Sequence, residues 1–367
     1  MTVVRVGGVE DFTALGARWR DLEQRADGSF FQSWTWVGCL CAERFPDPVL
    51  VEASEAGHIV ALGLFNRVRH RIGPSTLYLN ETGTAAFDCP YVEQNGILTE
   101  AGREQELTAL CLRQLVRTHD VVLSGVGEQV LAAFRSAAGL VLPGPGKASP
   151  FVDLAAVRKT GNDYLAGRSA NTRQQLRRSD RFYERDGPIW LEPAGSVEAA
   201  HAMLEQMAEL HQTTWRARGK QGSFALPFFR RFHRELIASG VPRREVALLR
   251  ISCGKTVIGV LYNFVWHKRM SAYQSGFAYH DDESHAKPGL TCHHAAIRLG
   301  LQQGMDIYDF LAGGDRYKRS LAEGAYQQFW ARAGPYWSVR QWLLRCRDLT
   351  RRQPSGALFE PVQGTQK

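Results

Sequence analysis

Between Asp281 and Leu321 the chain reads DDESHAKPGLTCHHAAIRLGLQQGMDIYDFLAGGDRYKRSL, and residues that handle protons and charge are concentrated there. Asp309 can accept a proton or orient a cation, Tyr317 can give a proton to a departing anion, and Lys318 can stabilise negative charge. Asp309 has a second reading, as a carboxylate paired with Lys318 or Arg316 for structure alone. Ala312, Gly313, Gly314 and Asp315 form a loop whose small residues let backbone N–H groups approach a ligand, and the loop leads into Arg316, Tyr317 and Lys318. His280, Asp281, Asp282, His285, Cys292, His293 and His294 also crowd together, and such side chains can ligate metals. Adjacent helical residues point about 100° apart, which keeps His293 and His294 from sharing an ion. No metal is expected.

These residues need a frame. Lys287-Pro288-Gly289 breaks the chain, and Pro at a first helical position loses nothing because its N–H would be unpaired there anyway. A helix is expected from about Leu290, with Leu290, His294, Ile297 and Leu301 on one face and Gly304 as its stop. Residues 305–311 read as a strand. Upstream, strands are expected at 244–251, 257–266 and 270–277. The middle one is almost continuously apolar, as for a strand buried on both faces. In the helix expected over 197–215, Ala200, Leu204, Met207, Ala208, His211 and Trp215 share a face. His211 is either a satisfied core histidine or a functional one, the second reading favoured by its place just before Trp215 and the 219–222 loop. The helix expected over 171–185 carries Arg173, Arg177, Arg181 and Arg185 four residues apart, with Arg178 beside them. That stripe is either a phosphate-binding surface or a solvated face paired with Asp180, Glu184 and Asp186.

The first half alternates in the same way: helices at 10–26 and 31–45, strands at 49–52, 58–68 and 76–79, a helix at 105–117, a strand at 121–123 and a helix at 128–137. Leu142-Pro143-Gly144-Pro145-Gly146-Lys147 can continue neither element type and marks a boundary. The 367 residues thus divide into domains at 1–148 and 149–350. Residues 337–352 form a candidate basic amphipathic helix, and 351–367 a disordered tail. Seven cysteines without C-x-x-C spacing read as reduced thiols, no apolar run approaches bilayer length, and the N-terminus lacks a signal-peptide pattern, so a cytoplasmic location is expected. A net charge of +8 favours an anionic partner: tRNA, a CoA thioester, a nucleotide-linked substrate or an acidic glycan.

Six stretches carry a family likeness: SAYQSGFAYHDD at 271–282, KPG at 287–289, the pair Asp309-Phe310, GGDRYK at 313–318, LHQTTWRARGKQGSF at 210–224 and FFQSWTW at 30–36. With them the chain resembles the GNAT superfamily of acyltransferases, and more narrowly the CelD/BcsL-type branch related to FemAB aminoacyltransferases. The resemblance implies an α/β protein of two tandem GNAT-like domains, each a mixed sheet covered by helices. The first would be a degenerate copy that shapes a cleft, and the second would hold the acyl-transfer site. It implies donor contacts from backbone N–H groups around Ser275, Gly276 and Phe277, and from Lys287, Gly289 and Leu290 at a helix start offering three free N–H groups. Tyr317 would protonate a leaving thiolate or ribose oxygen, Lys318 would stabilise the tetrahedral intermediate, and Asp309 or His211 would assist with protons. Trp215, Tyr273, Gly313, Gly314 and Arg316 would line the cleft. The usual GNAT pyrophosphate loop is absent. The implied donor is acyl-CoA, acetyl-CoA first, with aminoacyl-tRNA held along Arg173, Arg177 and Arg181 as the alternative. The implied acceptor is an amine on a small or sugar-linked molecule. A non-catalytic binding scaffold is a third reading.

Overall fold

The computed structural model describes residues 1–138, 141–144, 146–279, 285–313, 316–335, 337, 338 and 343. Its first elements are β1 (Thr2–Gly8), α1 (Phe12–Glu23), α2 (Trp34–Arg44), β2 (Pro48–Glu55), β3 (His58–Val68), β4 (Thr76–Leu79), β5 (Leu98–Thr99), α3 (Glu104–Leu115), β6 (Asp120–Val126), α4 (Glu128–Ala137) and β7 (Val141–Pro143). There follow β8 (Lys147–Asp153), α5 (Leu154–Thr160), α6 (Ala170–Tyr183), β9 (Ile189–Pro193), α7 (Val197–Ala217), α8 (Pro227–Gly240), β10 (Val246–Cys253), β11 (Thr256–Trp266), β12 (Arg269–Phe277), α9 (Pro288–Gln302), β13 (Ile307–Asp309), α10 (Arg316–Leu321) and β14 (Gly324–Ala333). The chain forms two compact units, one of Met1–Lys147 together with the chain from Gln327, the other of Ala148–Tyr326. The proposed amphipathic helix and tail lie almost wholly outside the described residues. No helix among the described residues is long and apolar enough to cross a membrane.

In the first unit the strands lie in the order β1, β2, β3, β4, β6, β14, with β5 against β3 and β7 against β14. All pairs are antiparallel except β4 with β6. Asp11 caps α1 by accepting the N–H groups of Thr13 and Ala14, and Ser33 caps α2 at the Trp36 N–H. The apolar stripe of α3, Leu107, Cys111, Leu112 and Leu115, packs with Val51, Leu77, Val121 and Leu123 of the sheet into one core. Four strands here escaped the sequence reading, β1, β5, β7 and β14, and β7 takes in Leu142 and Pro143 of the stretch expected to continue neither element type.

In the second unit the order is β8, β13, β12, β11, β10, β9. Only β12 and β13 run parallel, joined across α9, as a parallel connection requires a helical crossover. Leu249, Leu261, Met270 and Tyr308 point to the face covered by α5, α6 and α9. Tyr262 and Phe264 point to the opposite face, where Phe224, Phe229 and His233 pack. Burial on both faces accounts for the apolar run in β11. Arg316, Tyr317 and Lys318, expected at the end of a loop, open the short helix α10, and the strand expected over 305–311 contracts to Ile307–Asp309.

Candidate functional site

The parallel pair in the second unit is short. Arg269 faces Ile307, Met270 faces Tyr308 and Ser271 faces Asp309, and there the pairing ends. Beyond it β12 stays with β11 as far as the Phe277–Gly259 pair. The chain after β13 turns the other way, with the N–H of Phe310 on the Pro150 carbonyl at 2.9 Å and that of Gly313 on the Ala148 carbonyl at 3.4 Å. The strands therefore separate, and among the described residues the β12 edge from residue 272 onward has no strand partner on the β13 side.

Three local features produce the separation. Tyr262 pairs with Gln274 and Asn263 with Ala272, so Tyr273 is an extra residue that bends β12. Leu311 has φ 57°, a left-handed conformation costing a non-glycine residue roughly 1–2 kcal/mol, and its N–H is held by Asp309 Oδ1 at 2.8 Å. Backbone strain of this kind persists only where surrounding structure enforces it. At Gly276 any Cβ would lie 2.4 Å from the Met207 carbonyl oxygen, so glycine is what lets α7 lie against the bent strand.

The start of α9 is fastened to α6. Ser179 Oγ accepts the Lys287 N–H at 3.0 Å and lies 2.8 Å from Thr291 Oγ1, which donates to Asp180 Oδ1 at 2.9 Å. Burial pushes the Asp180 carboxyl up to about 6 against the opposing Thr291 hydrogen bond. Pro288 has no N–H and the Thr291 N–H bonds to the Lys287 carbonyl. Among the described residues, Gly289 and Leu290 therefore supply two N–H groups without a backbone partner at this first turn, one fewer than expected.

One turn further on, His293 is 2% exposed. Its Nδ1 lies 2.7 Å from the Tyr308 hydroxyl, and its Nε2 is buried with no hydrogen-bond partner among the described residues. The Tyr317 ring stacks on the imidazole at 5.2 Å and 19°, while Phe277 and Phe310 meet it edge-on. Burial, and then the Lys318 charge, hold His293 near 3, so the ring is neutral at ordinary pH. Lys318 Nζ donates to the Ala312 carbonyl at 3.4 Å. Tyr317 and Lys318 are half-buried, and Arg316 is exposed.

The sequence-derived residues fall into separate groups. Tyr317, Lys318 and Phe277 gather around His293 on the α9 side of the sheet. Ser275 stands opposite Leu261, whose side chain points to that same side. His211, Trp215 and Tyr273 belong to the opposite face. There Trp215 Nε1 donates to His211 Nε2 at 2.8 Å, so the neutral ring carries its proton on Nδ1. Burial, with Arg218 adding to it, lowers His211 to about 4. Tyr273 meets the rings of His233, Tyr262 and Phe264.

Asp309 is fully buried and turned away from Tyr308, as successive strand residues are. Its carboxylate takes the guanidinium of Arg269 at 3.0 Å, the Tyr326 hydroxyl and the Leu311 N–H. The cation it meets at that distance thus comes from the start of β12. Lys287 is exposed and Gly289 half-buried at the mouth of α9, Gly313 bonds to Ala148, and Gly314 lies outside the described residues.

On α6, Arg173 is half-buried and donates to the carbonyls of Arg168 at 2.7 Å and Ala166 at 3.4 Å. Arg177, Arg178 and Arg181 are exposed and, among the described residues, carry no ion pair. Asp180, one of their expected partners, points inward to Thr291 and His294 instead. Sequence reasoning weighed His293 only as a metal ligand and missed Tyr308 and Leu311. His293 stands three residues after Leu290, a spacing that helical periodicity allows as readily as the four-residue step to His294.

Two units, each a mixed sheet under helices and each with one parallel pair joined through a crossover helix, make this a tandem GNAT-like α/β fold. Residues 170–319 match the family model described as an acetyltransferase (GNAT) domain. Comparison with curated proteins returns no match. Among solved structures, FemX superposes with a TM-score of 0.57 at 8% identity, covering 93% of this chain and 99% of FemX. L-PGS from Bacillus licheniformis superposes at 0.55 with 12% identity over 92% and 97% of the two chains. A conserved protein of unknown function from Bacteroides thetaiotaomicron gives 0.55 at 8% identity over 90% and 100%. These likenesses establish the fold.

Proposed function

We propose that the chain is an N-acyltransferase whose donor enters the opening between β12 and β13. The observation that carries this reading is the separation of the two strands beside Tyr317 and Lys318, under the first turn of α9. In the proposed reaction the acyl carbonyl accepts from the β12 N–H groups that point away from β11, those of Ser275 and Phe277, which also hold the oxyanion when the amine adds, the Gly276 N–H being on the β11 side. The new C–N bond forms, the carbon–sulfur or carbon–oxygen bond to the carrier breaks, and Tyr317 gives its proton to the leaving atom while Lys318 offsets the developing charge. The proton released by the amine restores Tyr317. Gly289, Leu290 and Lys287 offer N–H groups and a cation to a phosphate at the helix start.

Acyl-CoA is the first donor reading, supported by the family match over residues 170–319. Aminoacyl-tRNA is the second, favoured by three exposed arginines on α6 without ion pairs. The CelD/BcsL-like branch, related to FemAB, is the subfamily reading that goes with either. The acceptor is read as an amine on a small or sugar-linked molecule.

The test measures binding of acetyl-CoA and of bulk aminoacyl-tRNA across a salt series. An acyl-CoA has three phosphate groups and its affinity should fall modestly, whereas tRNA on the α6 face should fall by about 0.7 to 0.9 log units per contacted phosphate for each decade of salt. The triple variant Arg177→Ala, Arg178→Ala, Arg181→Ala should weaken tRNA and spare acetyl-CoA. Ser275→Trp, which places an indole in the opening, should abolish binding of the true donor. Failure of both donors to bind, or binding indifferent to Ser275→Trp, overturns the reading.

A further inference from the structure

The buried face of α9 holds a group that the proposed reaction leaves unused. His293 Nδ1 is taken by the Tyr308 hydroxyl, and Nε2, across Cε1 from it, is buried and has no hydrogen-bond partner among the described residues. Besides Tyr308, the rings around the imidazole are Phe277, the last residue of β12, Phe310, directly after β13, and Tyr317 of α10. These three segments lie where β12 and β13 part, so the imidazole is packed among residues that a donor's acyl end would meet. A buried imidazole nitrogen left unpaired costs about 1–3 kcal/mol, and a ligand that supplied the missing hydrogen bond would recover it. A plain alkyl group would leave that cost in place.

We propose that the acyl group transferred at this site carries a hydrogen-bonding substituent, a hydroxyl or an amine, that pairs with Nε2 of His293. The inference rests on the donor-site reading above and narrows it, since acetyl lacks such a group. A hydroxyl serves either tautomer of the ring; an ammonium serves the tautomer in which Nδ1–H donates to Tyr308 and Nε2 accepts. His293 thereby sets specificity, because a site built around a polar partner discriminates strongly against the analogue that lacks it.

Two matched pairs of probes test this on both carriers: propionyl-CoA against 3-hydroxypropionyl-CoA, and 3′-propionylamino- against 3′-alanylamino-3′-deoxyadenosine, stable mimics of the acylated tRNA end. Calorimetric Kd values should favour the polar member about 10- to 100-fold on the carrier that binds. His293→Phe keeps the stacking on Tyr317, removes both nitrogens and should bring the ratio near one. His293→Gln keeps a polar group in case the Phe variant does not fold. Equal affinities in the wild type overturn the proposal, as does a polar preference that survives in His293→Phe. Failure of all four probes to bind is a different outcome, which removes the donor site and the inference with it.

Discussion

Each unit contains one parallel pair with a three-residue register, and the two pairs meet opposite fates. In the second unit, β12 and β13 part after Ser271 and Asp309. In the first, β4 and β6 pair at Thr76–Asp120, Leu77–Val121 and Tyr78–Val122, and the gap beyond is stitched shut by the chain itself. Asn95 bridges to Val126 and donates its N–H to the Gly125 carbonyl at 3.0 Å. Ser124 Oγ donates to Glu81 at 2.6 Å, and Asn80 donates to Asn95, whose own amide reaches the Leu79 carbonyl. Gly125, at φ 64°, makes room, since any Cβ there would lie 2.3 Å from the Val92 carbonyl. One strand plan thus yields a closed and an open version, and the segment following the pair decides which.

The sharpest break of this comparison is catalytic. Tyr317→Phe and Lys318→Ala, at the open pair, should each lower turnover by roughly 10- to 1000-fold with little change in Tm. Ser124→Ala, at the closed pair, should leave turnover at the wild-type value. A rate deficit in Ser124→Ala equal to those of the other two would make the closed pair part of the active site.

Next in size are the two glycines. Gly125→Ala and Gly276→Ala should each destabilise by about 1–3 kcal/mol, since a methyl group is driven against a backbone carbonyl in both. Only Gly276→Ala displaces α7 from β12, so only it should also slow transfer. Equal residual activity in the two variants at a temperature where both are folded would remove the distinction.

The smallest effect concerns pH: Glu81 in the first unit, like Asp180 in the second, should respond in the sense opposite to four buried histidines of the second unit. Burial raises Glu81 to about 7, with Asp88 adding to it, from an unfolded value near 4.5. Its contribution is complete below about 4.5 and is lost as pH rises through 7. Burial lowers His233 and His293 to about 3 and His211 and His294 to about 4, from 6.5 unfolded. Their contribution is complete above 6.5 and is lost as pH falls toward 4 and 3. Each group has a limiting slope of about 1.4 kcal/mol per pH unit. Hydrogen exchange at Val122 and Leu261, followed from pH 4 to 8, reads the two units separately. Glu81→Gln should change the first unit's profile alone, and a profile at Val122 left unchanged by that substitution would count against the assignment.

Much of this arrangement was legible in residue order. A continuous apolar run marked β11, the Pro at 288 marked the start of α9, and Tyr317 and Lys318 were singled out from their place after a Gly-Gly loop. What escaped depends on distant partners. β14, GAYQQFWARA, mixes polar and aromatic residues without clean alternation, and it becomes a strand only because β6 offers it an edge. The two orientations of His293 and His294 are set by the angle at which α9 meets Tyr308 and Asp180, which no local spacing encodes. Asp309 was recognised as important, yet its partner Arg269 lies forty residues earlier, in register across a parallel pair.

The discontinuous first unit has a consequence for how the protein is made. β6 leaves the ribosome about two hundred residues before β14, the strand that covers its edge, and synthesis advances at roughly 5–20 residues per second. For tens of seconds the nascent first sheet has an apolar strand with an open flank, the arrangement that invites pairing with a stranger. The second unit, contiguous from Ala148 to Tyr326, can close before that flank is covered. The order of maturation is therefore inverted relative to the order of translation: the later-made unit can close first, and the earlier-made one waits on β14.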